Sequence, residues 1–331
     1  MGQGFLTPRT IRRAGVLAAL GLVVAVVLGR PLVYDVEGVS MAPGLVPGDR
    51  VTSGLFPLLD RLRRPRRFER WAVETADGET AIKRIVGLPG ERVAIAAGDL
   101  AIDGTTVLKE PRQLAEFGVR VAAGTLTGTG SWSLPPREVL DDVAGAAGRS
   151  VVLLPVRDVG FAAVVTVAGG PGGAVRARAT VGRTLVAWRL PAGRFAIVAG
   201  RLDGHVVAVA WRLPGAVHDL AGLSCLPPQP PRRWSVAAPW AEADAPADES
   251  PPLALAIEPA ADATAVIEWV DLWRDVFYRP AADGVTVWNL AADAVFVLGD
   301  HPAASRDSRH WGPVSRAALV HRVTTAVLAD R

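Results

Sequence analysis

The chain has 331 residues, half of them hydrophobic, a net charge of +3 and one cysteine, Cys225. That length accommodates one large or two modest domains, the apolar content excludes a disordered chain, and the small net charge gives no ground for a nucleic-acid partner. A lone cysteine excludes an intrachain disulfide, and Cys225 lacks the neighbouring His/Cys cluster that marks a metal site.

Arg9, Arg12 and Arg13 precede an uncharged apolar run from 14 to 29. The run is shorter than the roughly 20 residues of a perpendicular membrane span, and Leu32 and Val33 extend it. Residues 1–13 read as a cytoplasmic basic tail and 14–33 as a transmembrane anchor. The arginine bias then predicts a single-pass protein of the cytoplasmic membrane, N-terminus inside and the remainder on the outer face. The rival reading is a cleaved secretory signal, but Gly29-Arg30-Pro31 is a poor cleavage site.

Residues 34–57 alternate short apolar runs with Gly and Pro and predict strands joined by turns. Six arginines (61, 63, 64, 66, 67 and 70) crowd the next segment. They read as a solvated loop or as a contact for anionic lipid headgroups near the anchor. Residues 81–108 read as strands, with Asp103-Gly104 as a hairpin turn. Between 151 and 213 short Val/Ile/Phe/Trp-rich runs at 184–190, 194–199 and 205–211 suggest a β-sandwich or barrel, Asp203-Gly204 joining the last two. Residues 226–252 read as a long loop, and strand-like runs return at 253–257, 264–278 and 285–298. Helical periodicity is scarce beyond the anchor, so the fold class is mainly β.

Only two lysines occur, Lys83 and Lys109, in a chain that otherwise uses arginine. An ammonium can lose its proton when desolvated, whereas a guanidinium effectively cannot, which makes Lys83 in Ile82-Lys83-Arg84-Ile85-Val86-Gly87-Leu88-Pro89-Gly90 a candidate base. Ser40 lies in Gly38-Val39-Ser40-Met41-Ala42-Pro43, with Gly48-Asp49 following. A third segment runs Gly299-Asp300-His301-Pro302-Ala303-Ala304-Ser305-Arg306-Asp307-Ser308-Arg309-His310-Trp311-Gly312. Together these segments, in this order and behind an N-terminal anchor, resemble the type I signal peptidases, a family of membrane-anchored serine peptidases with a Ser/Lys dyad.

The resemblance implies a β-rich catalytic domain in two parts, 34–110 and 285–331, and a site for each motif residue. Ser40 would be the nucleophile and Lys83 the general base, with Ser305 hydrogen-bonded to the Lys83 amine. Arg84 would pair with Asp300 and Asp307 with Arg309. Met41 would lie near the site, and Gly299 would let the chain pass closely. Lys109 matches no motif position and reads as a surface residue. The strand-rich stretch 111–284 is similar to the jelly-roll inserts of some divergent members and reads as an inserted β-sandwich domain. No metal or organic cofactor is required. The implied partners are preproteins with signal peptides, the lipid bilayer and an export translocon, and an envelope component could engage the insert.

Three positions depart from the family pattern. Gly38 stands where many members carry a hydroxyl that helps bind the oxyanion, although organelle-type members also use Gly there. Gly44 stands where Thr is common, and His301 where Asn is common. The strand that usually precedes the Lys motif is hard to align near 70–74. Of the five histidines, His301 and His310 alone fall near a motif, and their spacing matches no common zinc pattern. They read as surface or supporting residues rather than as a Ser/His pair. The alternative reading of the whole is a membrane-tethered binding protein on a degenerate peptidase scaffold, or a peptidase dedicated to one export substrate.

Overall fold

Alternating inward and outward side chains build most of the sheets, because successive strand residues face opposite ways. The computed structural model describes residues 30–54, 60, 62–75, 77–110, 113–114, 116, 118–124, 130–141, 153–213, 235–239, 250–258 and 260–327. The first part of the chain forms β1 (Val33–Asp35), β2 (Arg50–Ser53), β3 (Arg70–Glu74), β4 (Thr80–Gly87), β5 (Arg92–Ala96), β6 (Asp99–Ile102) and β7 (Thr105–Thr106). The middle part forms β8 (Val119–Gly124), β9 (Ser131–Leu134), β10 (Val159–Gly169), β11 (Ala174–Val181), β12 (Thr184–Pro191), β13 (Gly193–Leu202), β14 (His205–Arg212), β15 (Ser235–Pro239), β16 (Leu253–Glu258) and β17 (Ala263–Arg274). The last part adds β18 (Val287–Asn289), β19 (Ala294–Leu298), the short helix α1 (Ser308–Trp311), β20 (Val314–Ser315) and β21 (Leu319–Val327).

Two sheets combine the beginning and the end of the chain. One runs β1-β2-β21-β3-β4-β19-β20 and the other β18-β5-β6-β7. β4 sits deep in the first sheet, and its side chains serve two cores. Ile85 packs with Trp71, Val73, Val295 and Val297, while Val86 packs with Phe68, Val93, Leu100, Phe296 and Leu298. The segment at 70–74 that resists alignment is strand β3, paired with β4 from Arg70↔Arg84 to Glu74↔Thr80. The hairpin turn at Asp103-Gly104 holds both residues at positive φ, 51° and 83°, as a tight two-residue connection requires.

The middle strands make two facing sheets, β15-β14-β13-β10-β17-β8 and β12-β11-β16-β9, which share one core. β11 alternates cleanly, with Val175, Ala177, Ala179 and Val181 turned into that core. β10 is apolar on both faces because both are covered. Phe161, Ala163 and Val165 enter the shared core, and Ala162 and Val164 pack against Leu114, Trp273 and Leu108 on the other side.

Four expectations need correction. The stretch 226–252 is not wholly loop, since Ser235–Pro239 pairs with β14. The proposed anchor lies mostly outside the described residues, and its last members belong to the sheet. Val33 pairs with Thr52, and the Leu32 amide donates to Ser53 Oγ at 2.9 Å. Among the described residues no helix is long and apolar enough to cross a membrane. The arginine run is only partly solvated, because Arg67 donates to Val86 O and to Glu91.

Lys109 is not a surface residue but 1 % exposed. Its ammonium pairs with Asp203 and, at 2.6 Å, with Asp275. Asp203 occupies the β13–β14 turn and Asp275 follows β17, so one lysine just after β7 ties the sandwich to the first part of the chain. An ammonium taken this far from water persists only when paired, and these carboxylates supply the pairing.

Candidate active site

Ser40 stands in the turn that follows β1, and backbone hydrogen bonds hold that turn on both sides. The Ala42 amide donates to Val39 O at 3.1 Å and the Leu45 amide to Met41 O at 2.9 Å. Met41 is buried beneath the turn with Val36, Leu45 and Val51, so its side chain anchors the loop and leaves Ser40 half-buried above. Farther along, the His301 amide donates to Ser40 O at 3.0 Å.

Lys83 projects from β4 toward this turn, and its Nζ lies 2.7 Å from Ser40 Oγ. The lysine is 3 % exposed. Burial is the main force on its ammonium and pushes its pKa down to about 8, against an opposing pull from the Asp307 and Asp300 carboxylates.

Both of those carboxylates are occupied by arginine. Arg84 grips Asp300 through two hydrogen bonds of 2.7 Å, and its remaining nitrogen donates to Phe68 O at 2.6 Å and Glu116 at 3.1 Å. This two-pronged geometry is the strongest form of the pairing. Burial works against the Arg84 charge, and Asp300 overcomes it, so the guanidinium is held more firmly charged than usual. Arg309 binds Asp307 through Nε and Nη2, each at 2.8 Å. Burial pushes the Asp307 carboxyl up, and the Arg309 hydrogen bonds outweigh it and keep the group below the ordinary carboxylate range. Asp307 also caps α1 and accepts the Gly299 amide at 3.0 Å.

Gly299 is a point of close approach. A Cβ there would lie 2.3 Å from Ser305 Oγ and 2.4 Å from Ser40 O, closer than any side chain can pack. Ser305 itself differs from expectation. Its buried hydroxyl makes no hydrogen bond to Lys83 and lies against the Asp307 carboxylate, which it helps hold in the charged form. The Gly299 main chain packs against that hydroxyl and against the Ser40 carbonyl.

The structure therefore brings Ser40, Lys83, Arg84, Gly299, Asp300, Ser305, Asp307 and Arg309 into one neighbourhood, with Met41 underneath. Sequence reading underrated three residues. His301 is 5 % exposed rather than superficial, and burial holds its imidazole below its usual pKa. Glu116 and the Phe68 carbonyl complete the Arg84 cage, and neither lies in a motif. His310 performs a local duty, its ring accepting the Asp307 amide at 3.4 Å.

A second charged cluster exists among the described residues. Asp99, Asp158, Asp203 and Asp275 place carboxylate oxygens within 4.8 Å of one another. The Lys109 ammonium already supplies a cation there, and burial together with Asp158 pushes Asp99 up to about 9. Lys109 on Asp203 and Asp275, and Arg201 on Asp158 at 2.9 Å, supply the compensating cations.

A hydroxyl within hydrogen-bond reach of a buried, easily deprotonated amine is equipped for nucleophilic attack, and no other described pair has that form. The sequence profile of one family, described as signal peptidase, peptidase S26, matches residues 8–135 and 273–328. Those residues bear every side chain of the Ser40–Lys83 neighbourhood, and the interruption falls within the two-sheet sandwich. Among curated proteins none matches the chain.

Proposed function

The chain belongs to the signal peptidase family, peptidase S26, and from that membership we propose a membrane-bound endopeptidase that removes signal peptides from exported preproteins with a Ser40/Lys83 dyad. The observation that carries the proposal is the 2.7 Å approach of Lys83 Nζ to Ser40 Oγ by an amine whose pKa is lowered to about 8. Ser/Lys pairs are a recognised variant of the Ser/His/Asp arrangement.

Neutral Lys83 takes the Ser40 hydroxyl proton as Oγ attacks the scissile carbonyl. The Ser40 backbone N–H is the donor available for the resulting oxyanion. Collapse of the tetrahedral intermediate breaks the C–N bond, and the Lys83 ammonium returns its proton to the leaving amine. Water then repeats the sequence on the acyl-enzyme, with Lys83 as base, and releases the signal peptide carboxylate. No cofactor takes part in this scheme.

The unpaired edge of β4 supports an extended substrate in this reading. β4 pairs with β19 only from Arg84 to Gly87, so Thr80 to Lys83 offers backbone groups on the side away from β3. A peptide adding there would reach Ser40 in extended form. Apolar residues 14–29 would hold the enzyme on the outer face of the membrane, where preproteins emerge.

Purified Ser40→Ala and Lys83→Ala proteins, assayed on a preprotein, should each fail to cleave while keeping the wild-type circular dichroism. Full processing by Lys83→Ala would overturn the dyad. A wild-type protein that neither cleaves nor reacts with a serine-directed acylating probe would favour the tethered binding protein instead.

A further inference from the structure

The arginine run takes no part in the chemistry at Ser40. Three of its members, Arg66, Arg67 and Arg70, meet Arg322 of β21 around a cavity of about 380 Å³ whose acids, among the described residues, are Glu69 and Glu116. A cavity of this size suits a small ligand, in the range of roughly 300–1,000 Å³.

Both acids are already committed. Glu69 accepts Trp71 Nε1 at 3.2 Å, the Arg66 amide at 3.1 Å and Arg322 Nη1 at 3.4 Å. Glu116 accepts Arg84. Arg67 is committed as well, to Val86 O and Glu91. Among the described residues the guanidinium groups of Arg66 and Arg70 meet no acceptor, and Arg322 Nε is buried without one. Arg70 also lies opposite Arg84 across the β3–β4 pair. Burial and that neighbour both weaken its hold on the proton, and the Asp300 and Glu116 carboxylates offset them only in part, although a guanidinium stays charged. A buried donor without an acceptor is costly. Several planar donor forks around one cavity match the oxygens of a phosphate group.

Position indicates the source of such a group. The cavity wall includes Val323, which pairs with Ser53 of β2. Ser53 in turn exchanges hydrogen bonds of 2.9 Å with Leu32. The wall is therefore within about two strand spacings, roughly 10 Å, of Leu32 and Val33. These residues are 43 % and 57 % exposed and end the apolar N-terminal stretch. We propose that the Arg66–Arg70–Arg322 cavity binds the phosphate of an anionic lipid headgroup. This inference rests on the membrane-anchor part of the proposed function and not on the Ser40/Lys83 dyad.

The full chain in maltoside micelles would be titrated with dihexanoylphosphatidylglycerol, followed by calorimetry and ³¹P NMR, and separately with inorganic phosphate. Saturable lipid binding is expected, weakened at least about tenfold in Arg70→Gln and in Arg66→Gln, the loss of one charge-assisted contact. Arg64→Gln, an exposed arginine of the same run outside the cavity, should bind as wild type. Thermal melts confirm that each variant is folded, and Arg66→Gln alters an exposed side chain, so the test survives a failure of Arg70→Gln to fold. Equal weakening by Arg64→Gln would reduce the effect to diffuse surface charge and overturn the site. Inorganic phosphate binding as tightly as the lipid would overturn the lipid source, and absence of saturable binding would overturn both.

Discussion

The two lysines are buried to nearly the same degree, 3 % and 1 % exposed, and burial acts on them in opposite company. Around Lys83 the direct contact is a hydroxyl. Around Lys109 the direct contacts are two carboxylates. Burial disfavours the charged amine in both places. At Lys83 it prevails and brings the pKa to about 8, whereas at Lys109 the adjacent Asp203 and Asp275 prevail and raise the pKa well above normal. Desolvation alone thus does not make a lysine a base. Near Lys83 the carboxylates of Asp300 and Asp307 are each held by an arginine, which offsets the negative field that would keep Lys83 protonated. On the dyad reading, the Arg84–Asp300 and Arg309–Asp307 pairs compensate charge around the base as well as bracing the turn.

The harshest challenge to this contrast is Lys83→Arg. Arginine keeps the charge and some of the reach but cannot give up its proton. Preprotein cleavage should fall by about a thousandfold or more, as when the base of a serine peptidase is removed. Lys109→Arg should retain cleavage, because a guanidinium can still meet Asp203 and Asp275. Substantial turnover by Lys83→Arg would mean that deprotonation at this position is not part of the mechanism.

Removing the other lysine should damage stability rather than chemistry. Lys109→Met leaves buried carboxylates without their cation, and breaking such a pair typically costs about 3–5 kcal/mol. Urea unfolding should show a loss of that order, while the pH dependence of the surviving activity keeps its wild-type shape. A shifted pH profile with unchanged stability would reverse the roles assigned to the two sites.

A smaller effect tests the compensators. On the proposed mechanism Lys83 acts as a base only when neutral, so kcat/KM should rise with pH up to about 8, the value set by burial, and fall about tenfold for each unit below it. Arg309→Met removes the partner of Asp307. The unneutralised carboxylate should stabilise the Lys83 ammonium, raise its pKa and move the acid limb of the profile to higher pH. A shift of about one unit gives a roughly tenfold loss at pH 7. An acid limb that stays in place in Arg309→Met would show that Asp307 does not act through Lys83.

Much of the site was legible because short motifs have local causes. Lys83 and Arg84 are neighbours on one strand, and Asp300, Asp307 and Arg309 share one turn-and-helix segment, so their spacing survives in the sequence. Several strands of the sandwich were legible for a similar reason, since β16 shows its burial in alternate residues, whereas β11, although it alternates as cleanly, was not among the runs read as strands. The unread parts depend on long-range encounters. Lys109 lies 94 residues from Asp203 and 166 from Asp275, and nothing local to it announces a buried pair. Glu116 reaches Arg84 from a short turn outside every motif. The cavity of arginines needs Arg322, 253 residues from the Glu69 it contacts, which turned part of an apparent surface charge run into a wall. The Ser305 hydroxyl was misplaced because a motif fixes neighbours along the chain and not the rotation of a side chain.

The mildest variant separates the base from the oxyanion site. Gly38 stands two residues before Ser40, where a hydroxyl could add a second donor beside the Ser40 N–H. A Cβ at Gly38 would meet nothing within 4 Å, and its φ is not in the left-handed region, so Gly38→Ser should be accommodated without strain. A pre-organised oxyanion donor is worth about 10²–10³ in kcat. A hydroxyl introduced without neighbours to fix its rotamer should give less, a rise of about tenfold at most. The field at Lys83 is untouched by this change, so the acid limb should remain near the wild-type position while kcat increases. If the limb moved with kcat, proton transfer and oxyanion stabilisation would not be separable here, and the contrast between the two lysines would no longer account for the rate.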